Sequence, residues 1–460
     1  MDSRKDRRWR HLQLPVLLGT LILGVACSTP FTPLPTPRPL GRDLPRAGLK
    51  QGTESKRVQP FREPRGELTL VDALAAALQN SPRLEAFDWQ VRADEARALQ
   101  AGLFPNPVLS IEGENFAGGG EFDRYDAAET TVSLGQLVLL GGKRVKRHRV
   151  AMLSRELSGW DYEAARLDVF TETTQRFVAA LAARERLALT VEILRISRES
   201  LDATKARVRA GAASSVEEAR SSVAVATLDV ARKRREVEFD AAKKSLATSW
   251  AGDVQFDALT GDLATLRTLP PLERIRSELA NNPDLARWSS EIARREAQVE
   301  LARAGAIPDV TAGLGVRHFN DSDDAALVFG VEVPIPVFDR NQGARAAALA
   351  SVNRTRALAR DARLVLFRAL VSAHANALAA EQNAKALEAT VLPQADAAYR
   401  RTRDAYRKGL FRLVDVLDSQ RTLFDARAEY VNALAQFHTA AAEIERLAGS
   451  SLEDLSNGSN

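Results

Sequence analysis

Asp415 and Asp418 are the residues of this 460-residue chain best placed to act on a passing ion. Spaced i, i+3, they share one helix face a turn or two beyond Gly409. Repeated around an axis, such carboxylates form a ring that favours cations and repels anions. A simpler role is also open to Asp415, since an acid in a first helical turn complements the helix N-terminus by ~0.3–1 kcal/mol.

The other reactive side chains argue against catalysis. His11, His148, His318, His374 and His438 show no metal-ligand spacing, and His148 and His374 read as solvated groups on helix surfaces. Two methionines and a single cysteine, Cys27, make a soft-metal relay a poor fit. Gly118, Gly119 and Gly120 fall in a hairpin turn, with no strand-to-helix phosphate loop around them. Ser214-x-x-Glu217 and Ser215-x-x-Glu218 read as capping boxes. The expectation is no enzyme, no cofactor and no metal site.

These residues sit on long periodic segments. No proline occurs between Pro107 and Pro270, and heptad-like rods run from Lys143 to Ala210 and from Gln342 to Lys408. At ~1.5 Å per residue each would reach on the order of 100 Å. Each rod ends in a glycine, Gly211 or Gly409, and is followed by a return helix. The halves match elsewhere too, Asn80-Ser81-Pro82 corresponding to Asn281-Asn282-Pro283. Pro82 and Pro283 lie 201 residues apart, and Gly211 and Gly409 lie 198 apart. That period is a duplication and far exceeds a solenoid unit.

Alternating stretches precede each rod, at Asn106–Phe116 and Glu129–Leu140, then at Asp309–Phe319 and Leu327–Phe338. Val310, Ala312, Leu314 and Val316 alternate with Thr311, Gly313, Gly315 and Arg317, which indicates half-exposed strands. Alternation alone would favour a soluble hairpin lying on helices. Position favours lipid, because a hairpin at the end of a rod has little core to cover it. Four strands cannot close a transmembrane barrel, whose smallest form needs about eight. Three copies would give 12 strands and leave a pore.

The N-terminus reads as an address. Arg4, Lys5, Arg7, Arg8 and Arg10 precede an apolar run from Leu12 to Ala26, too short for an ordinary span. Removing residues 1–26 lowers the formal charge from +4 to +1, since 64−5 Lys and Arg then face 60−2 Asp and Glu. No basic excess remains to argue for nucleic acid. Beyond Leu23 no apolar run approaches the length of a membrane helix. Residues 28 to 66 hold 8 of the 19 prolines and read as an extended arm.

The segments are thus a signal peptide (1–26), a proline-rich arm (27–67) and two repeats (68–269 and 270–449), with a tail at 450–460. Within the repeats lie β-hairpins at about 106–140 and 309–338 and long helical hairpins at 143–252 and 342–448.

Leu23-Gly24-Val25-Ala26-Cys27-Ser28 resembles a bacterial lipobox, which would make Cys27 the lipidated residue and outer-membrane lipid its partner. Over about residues 68 to 449 the chain resembles TolC-type outer-membrane efflux proteins. The local signature is Tyr406-Arg407-Lys408-Gly409 followed by Leu413-Val414-Asp415-Val416-Leu417-Asp418, with Gln420-Arg421-Thr422-Leu423 just beyond. Leu139-Leu140-Gly141-Gly142-Lys143-Arg144 resembles the lipoprotein-type branch serving cobalt–zinc–cadmium efflux. The resemblance implies a mixed α/β membrane protein, a homotrimer with four strands per chain in a 12-stranded β-barrel and a long α-helical barrel below it. It would form the outer-membrane duct of a tripartite system in a Gram-negative bacterium. A periplasmic membrane-fusion adaptor and an inner-membrane RND-type pump would dock at the tips, at the turns of Gly211 and Gly409. Alternatives are an exit duct for ABC-driven protein or drug export, or a periplasmic scaffold. By the same resemblance Asp415 and Asp418 would line the periplasmic gate and Tyr406 would help tie it shut. Phe411 stands where the family's locking arginine would be, with Arg412 adjacent.

Replacing Cys27 by Ser is expected to abolish incorporation of a radiolabelled fatty acid such as palmitate and to block or shift signal cleavage. The barrel should still insert, because a lipid anchor adds affinity without building the pore. Unchanged labelling would show that the lipobox is not used.

Overall fold

The computed structural model describes residues 61–122 and 125–457. Cys27, the signal peptide and nearly all of the proline-rich arm lie outside the described residues. In chain order the elements of the first half are β1 (Gly66–Leu68), α1 (Leu70–Asn80), α2 (Pro82–Ala101), β2 (Val108–Glu114), β3 (Glu129–Val138), α3 (Lys143–Arg209) and α4 (Ser215–Ala247). The second half carries β4 (Phe256–Leu259), α5 (Leu272–Glu278), α6 (Pro283–Ala304), β5 (Val310–Phe319), β6 (Asp324–Glu332), α7 (Gln342–Ala386), α8 (Leu392–Arg407), α9 (Leu413–Ala448) and α10 (Leu452–Asn457).

Local chemistry sets the helix ends. Thr69 and Asp72 form a reciprocal capping box that starts α1. Pro82 and Pro283 open α2 and α6, where a missing N–H costs nothing. Asn282 accepts from the Asp284 N–H, and its amide donates to the carbonyls of Arg446 and Leu447, so one residue caps α6 and holds the end of α9. The second rod changes its turn where the sequence suggested an uninterrupted α-helix. A π turn at Leu387–Val391 separates α7 from α8 just before Pro393. Proline has no N–H and clashes with the carbonyl four residues earlier, and the wider turn accommodates both defects.

Four strands form one antiparallel sheet in the order β2-β3-β5-β6. Its register aligns Leu109, Leu134, Leu314 and Phe329 in one row, with Ile111, Val132, Val316 and Leu327 in the next. All eight are exposed, from 40% at Leu134 to 79% at Leu327. The opposite face is polar: the Arg317 guanidinium pairs with Glu114 at 2.9 Å and Glu129 at 2.8 Å, and donates to Thr131. The last strand stops at Glu332, short of the expected Phe338, because Pro334 and Pro336 cannot donate to a ladder.

The helices follow the same order as the strands. Near the sheet, α3 lies between α2 and α6, and α7 packs on α6; farther along, α3 lies between α4 and α9, and α8 packs on α9. Elements of the first half therefore form one edge (β2, α2, α4), and elements of the second half form the other (β6, α7, α8). The core sits where α1, α3, α7 and α9 meet, around Phe177, Leu181, Trp250 and Leu434, and around Ile275, Leu370, Phe437 and Ile444.

Three features depart from the sequence reading. A two-stranded parallel sheet joins β1 to β4, whose three and four residues are too short to display alternation. The expected tail contains α10, which buries Leu452 and Leu455. The α7–α8 stretch is apolar and long enough, by composition, to cross a membrane. Counting uninterrupted apolar runs missed it, because Arg368 and His374 break the run while alanine keeps the helix apolar.

Glu163 is buried on α3 with Arg166 3.4 Å from Oε2, and Oε1 accepts no hydrogen bond among the described residues. Burial pushes this carboxyl up from 4.5 to about 6. The proton therefore favours the folded state: the contribution is full below pH ~4.5 and is lost as pH rises through 6. Glu163→Gln is expected to stabilise the protein by about 1–2 kcal/mol at pH 8 and by little at pH 4, measured as thermal midpoints at both pH values. An equal gain at both would show that the carboxyl titrates normally. On the sheet, Leu314→Arg or Val331→Arg is expected to cost about 2–4 kcal/mol in a bilayer. Thr311→Arg, on the other face, should cost less in the same detergent-unfolding assay.

Candidate functional site at the helical tips

The two rod ends are built alike. Ala212 N–H returns to the Arg207 carbonyl (2.8 Å) as α3 ends, and Leu410 N–H returns to the Ala405 carbonyl (2.9 Å) as α8 ends. Gly211 and Gly409 take φ of +69° and +79°, the left-handed conformation that closes such a turn and disfavours a side chain. Ser214 then caps α4 by accepting from the Glu217 N–H. Asp415 accepts from the Arg412 N–H at 3.0 Å and so caps α9.

Tyr406 joins the two tips. It is buried, and its hydroxyl donates to Glu217 Oε2 at 3.3 Å, on the other hairpin. The Arg207 guanidinium lies 4.4 Å from the Tyr406 ring centroid and donates to the Tyr406 carbonyl at 3.0 Å. Its other nitrogen donates to the Ala212 carbonyl, so one arginine holds its own turn and grips the facing one. The contact combines charge-assisted hydrogen bonds with a cation–π interaction. Around it Tyr399, Leu413, Val416 and Leu423 pack as a small apolar cluster. Farther up the seam between α3 and α9, Gln420 donates to Ser197 and Arg427 pairs with Glu192.

Arg207 was not singled out by the sequence reading, and Glu217 was read there only as a capping residue. Glu217 was expected to complete a capping box; its side chain turns to Tyr406 instead, because a buried phenol needs an acceptor. The signal available was positional. Arg207 stands four residues before Gly211 and Tyr406 three before Gly409, so equivalent turns bring them together. Arg412, expected among the gate residues, is 82% exposed in its side chain and faces Asp415 at 3.6 Å.

The two acids differ. Asp415 is half-buried and bonded to its own helix end, whereas Asp418 is exposed with no side-chain hydrogen bond or ion pair among the described residues. At the outermost turn Leu410 and Phe411 are exposed at 75% and 51%.

Among the described residues no group of three or more His, Cys, Asp or Glu side chains is arranged to hold a metal ion. His374, expected to be solvated, is half-buried and bonds the Pro270 carbonyl; His438 bonds that of Leu263. Both carbonyls belong to the segment joining the halves. Burial holds His438 below its ordinary range.

Comparison with known proteins agrees with this geometry. The cobalt-zinc-cadmium resistance protein CzcC of Cupriavidus metallidurans is 32% identical over 399 residues, covering 86% of this chain and 94% of the relative. The pyoverdine export outer membrane protein OpmQ of Pseudomonas putida is 28% identical, covering 96% of this chain and 97% of its own. The crystal structure of CusC superposes with a TM-score of 0.73 at 16% identity, covering 85% of this chain and 96% of that one, which shows a shared fold. Residues 73–251 and 275–450 match the profile of the outer membrane efflux proteins, and the chain belongs to that family.

Proposed function

We propose that three copies of this chain close into the exit duct of a tripartite efflux system, a passive conduit across periplasm and outer membrane. The observation that carries this reading is the sheet, with one face of exposed leucine, valine and phenylalanine and two unpaired edges, β2 and β6. In lipid each unpaired backbone group costs several kcal/mol, so the edges must meet those of other copies. Four strands from each of three chains give a 12-stranded barrel. Cys27 anchors the assembly through lipid, and the exposed tip turns at Gly211 and Gly409 receive the periplasmic adaptor and the RND-type pump.

The cargo reading is heavy-metal cations. It is supported by the likeness to the cobalt-zinc-cadmium resistance protein and by the two acids just beyond Gly409. A second reading, export of an organic molecule, is favoured by the likeness to the pyoverdine exporter over nearly the whole chain. In either case the duct performs no chemistry and the pump selects the cargo.

The tip geometry supports a gate at this end. Tyr406, Glu217 and Arg207 hold the α3–α4 hairpin against the α8–α9 hairpin within one chain, and separating them would widen the tunnel mouth. Six carboxylates, Asp415 and Asp418 from each copy, would then face the passing ions at the narrow end.

In planar bilayers, Arg207→Ala combined with Tyr406→Phe is expected to raise single-channel conductance while helix content by circular dichroism stays constant. Unchanged conductance in an intact assembly would remove the latch from the gate. Asp415→Asn with Asp418→Asn is expected to lower cation-over-anion permeability, because a carboxylate ring concentrates counter-ions within about a Debye length, ~10 Å at 0.1 M salt. Asp415→Ala alone should also cost about 1 kcal/mol of stability as a lost cap, whereas Asp418→Ala should cost almost none. Unaltered selectivity in the double variant would leave Asp415 as a cap and Asp418 as a surface charge.

A further inference from the structure

The middle of the helical layer has two unlike faces. Against one lie β1, β4, α1, α5 and the segment joining the halves, a belt packed around Trp250 and Ile275. Phe177 of α3 packs into this belt, His374 of α7 bonds its Pro270 carbonyl, and His438 of α9 bonds that of Leu263. A helix turns ~100° per residue, so a position two residues away points to the opposite side. At those positions stand Gln175, Asn376 and Gln436, one amide on each of the three helices. All three line a single groove between α3, α7 and α9.

The groove is polar and electrically balanced. Its two charged residues are Arg186 and Glu443, one of each sign. Arg186 is engaged, donating to Asn432 Oδ1 at 3.0 and 2.6 Å, and Asn432 and Asn383 each donate to Glu429 at 3.4 Å. Those two amides tie the wall together. Gln175, Asn376 and Gln436 make no hydrogen bond among the described residues, and alanine fills most of the wall around them. An amide carries an acceptor oxygen and two N–H donors, so three unengaged amides in one groove are free for whatever passes along it.

Counting places the groove in the duct. Gln436 lies 27 residues beyond Gly409, Asn376 lies 33 before it, and Gln175 lies 36 before Gly211. At ~1.5 Å per residue that is ~40–55 Å from the tips. The charges of Asp415 and Asp418 are screened over such a distance, since the Debye length is ~10 Å at 0.1 M salt. A belt with this much packed core has no room inside a tunnel. When the layer closes into a duct the belt stays outside, and the face carrying the amides lines the lumen.

We infer that Gln175, Asn376 and Gln436 form a neutral collar at mid-duct that passes metal cations with their water shells intact. This rests on the duct reading and states how its cargo travels. A hydrated divalent cation presents water protons outward, and amide oxygens accept them. Carboxylates at the same positions would compete for the metal itself, as hard oxygen ligands do, and would retain it. Conduction needs binding favourable enough to admit an ion and weak enough to release it. The tip acids admit and the collar releases.

Planar-bilayer recordings of the full-length protein test both the lining and the chemistry. Gln436→Cys treated with a cationic thiosulfonate should lose at least half of its single-channel cation conductance. Asp257→Cys, exposed on the belt strand β4, should keep its conductance, as should the wild type, whose one cysteine is Cys27. Asp415→Asn with Asp418→Asn then silences the tips. In that background hexaamminecobalt(III), whose shell does not exchange, should block only weakly. Adding Asn376→Asp and Gln436→Glu should tighten the block tenfold or more. Asn376→Leu with Gln436→Leu should instead lower Zn²⁺ conductance at least twofold at unchanged cation-over-anion permeability. Strong block in the tip-silenced channel that vanishes in the leucine variant would overturn the inference, because the collar would then hold cations. Conductance unaltered by both the thiosulfonate and the leucine pair would also overturn it, placing the amides outside the lumen while the duct reading survives. A wild-type protein that forms no channels would remove both.

Discussion

The unpaired edges of the four-stranded sheet are the constraint on which the rest of this molecule depends. One face of the sheet is apolar and exposed; on the proposed reading its medium is lipid, which would offer no hydrogen bonds to β2 or β6. A single chain cannot satisfy those edges. The helices inherit the problem, because they run in the same lateral order as the strands and end in the same two edges.

The tips show a different economy of interactions. The two hairpins of one chain are tied to each other by a few polar contacts around Tyr406, set on a small apolar cluster. The large cores lie far from this point, around Trp250 and Phe437. Separation of the tips therefore disturbs a handful of hydrogen bonds and one cation–π contact while leaving the main packing intact. A stable body with a weakly held end is what the proposed gate requires.

Much of this architecture was legible in the sequence. The rods announced themselves through long heptads, proline-free in the first and broken only by Pro393 in the second, and α3 begins at the expected Lys143 because Gly141 and Gly142 precede it. The strands showed a two-residue period, and three of four fell within a few residues of expectation. The fourth was overextended because apolar alternation continues through Pro334 and Pro336, where backbone chemistry ends the ladder. What stayed hidden was mostly non-local. The Arg207–Tyr406 and Tyr406–Glu217 contacts join residues 199 and 189 positions apart, and no local pattern reports them. Glu217 was misleading for a specific reason: its spacing from Ser214 satisfies a capping box, and only the buried phenol opposite diverts it. Asp415 shows the converse, since its cap was read correctly as one alternative and is present.

The central claim is that the edges of the sheet and of the helical layer are completed by other copies of the same chain. Native mass spectrometry of the full-length protein, released from mild detergent, tests it most directly. The account predicts a complex of three chains, roughly three times the ~50 kDa chain less its signal peptides. A soluble, detergent-free monomer with its strands intact would contradict it, because exposed apolar faces and open strand edges would then need no partner.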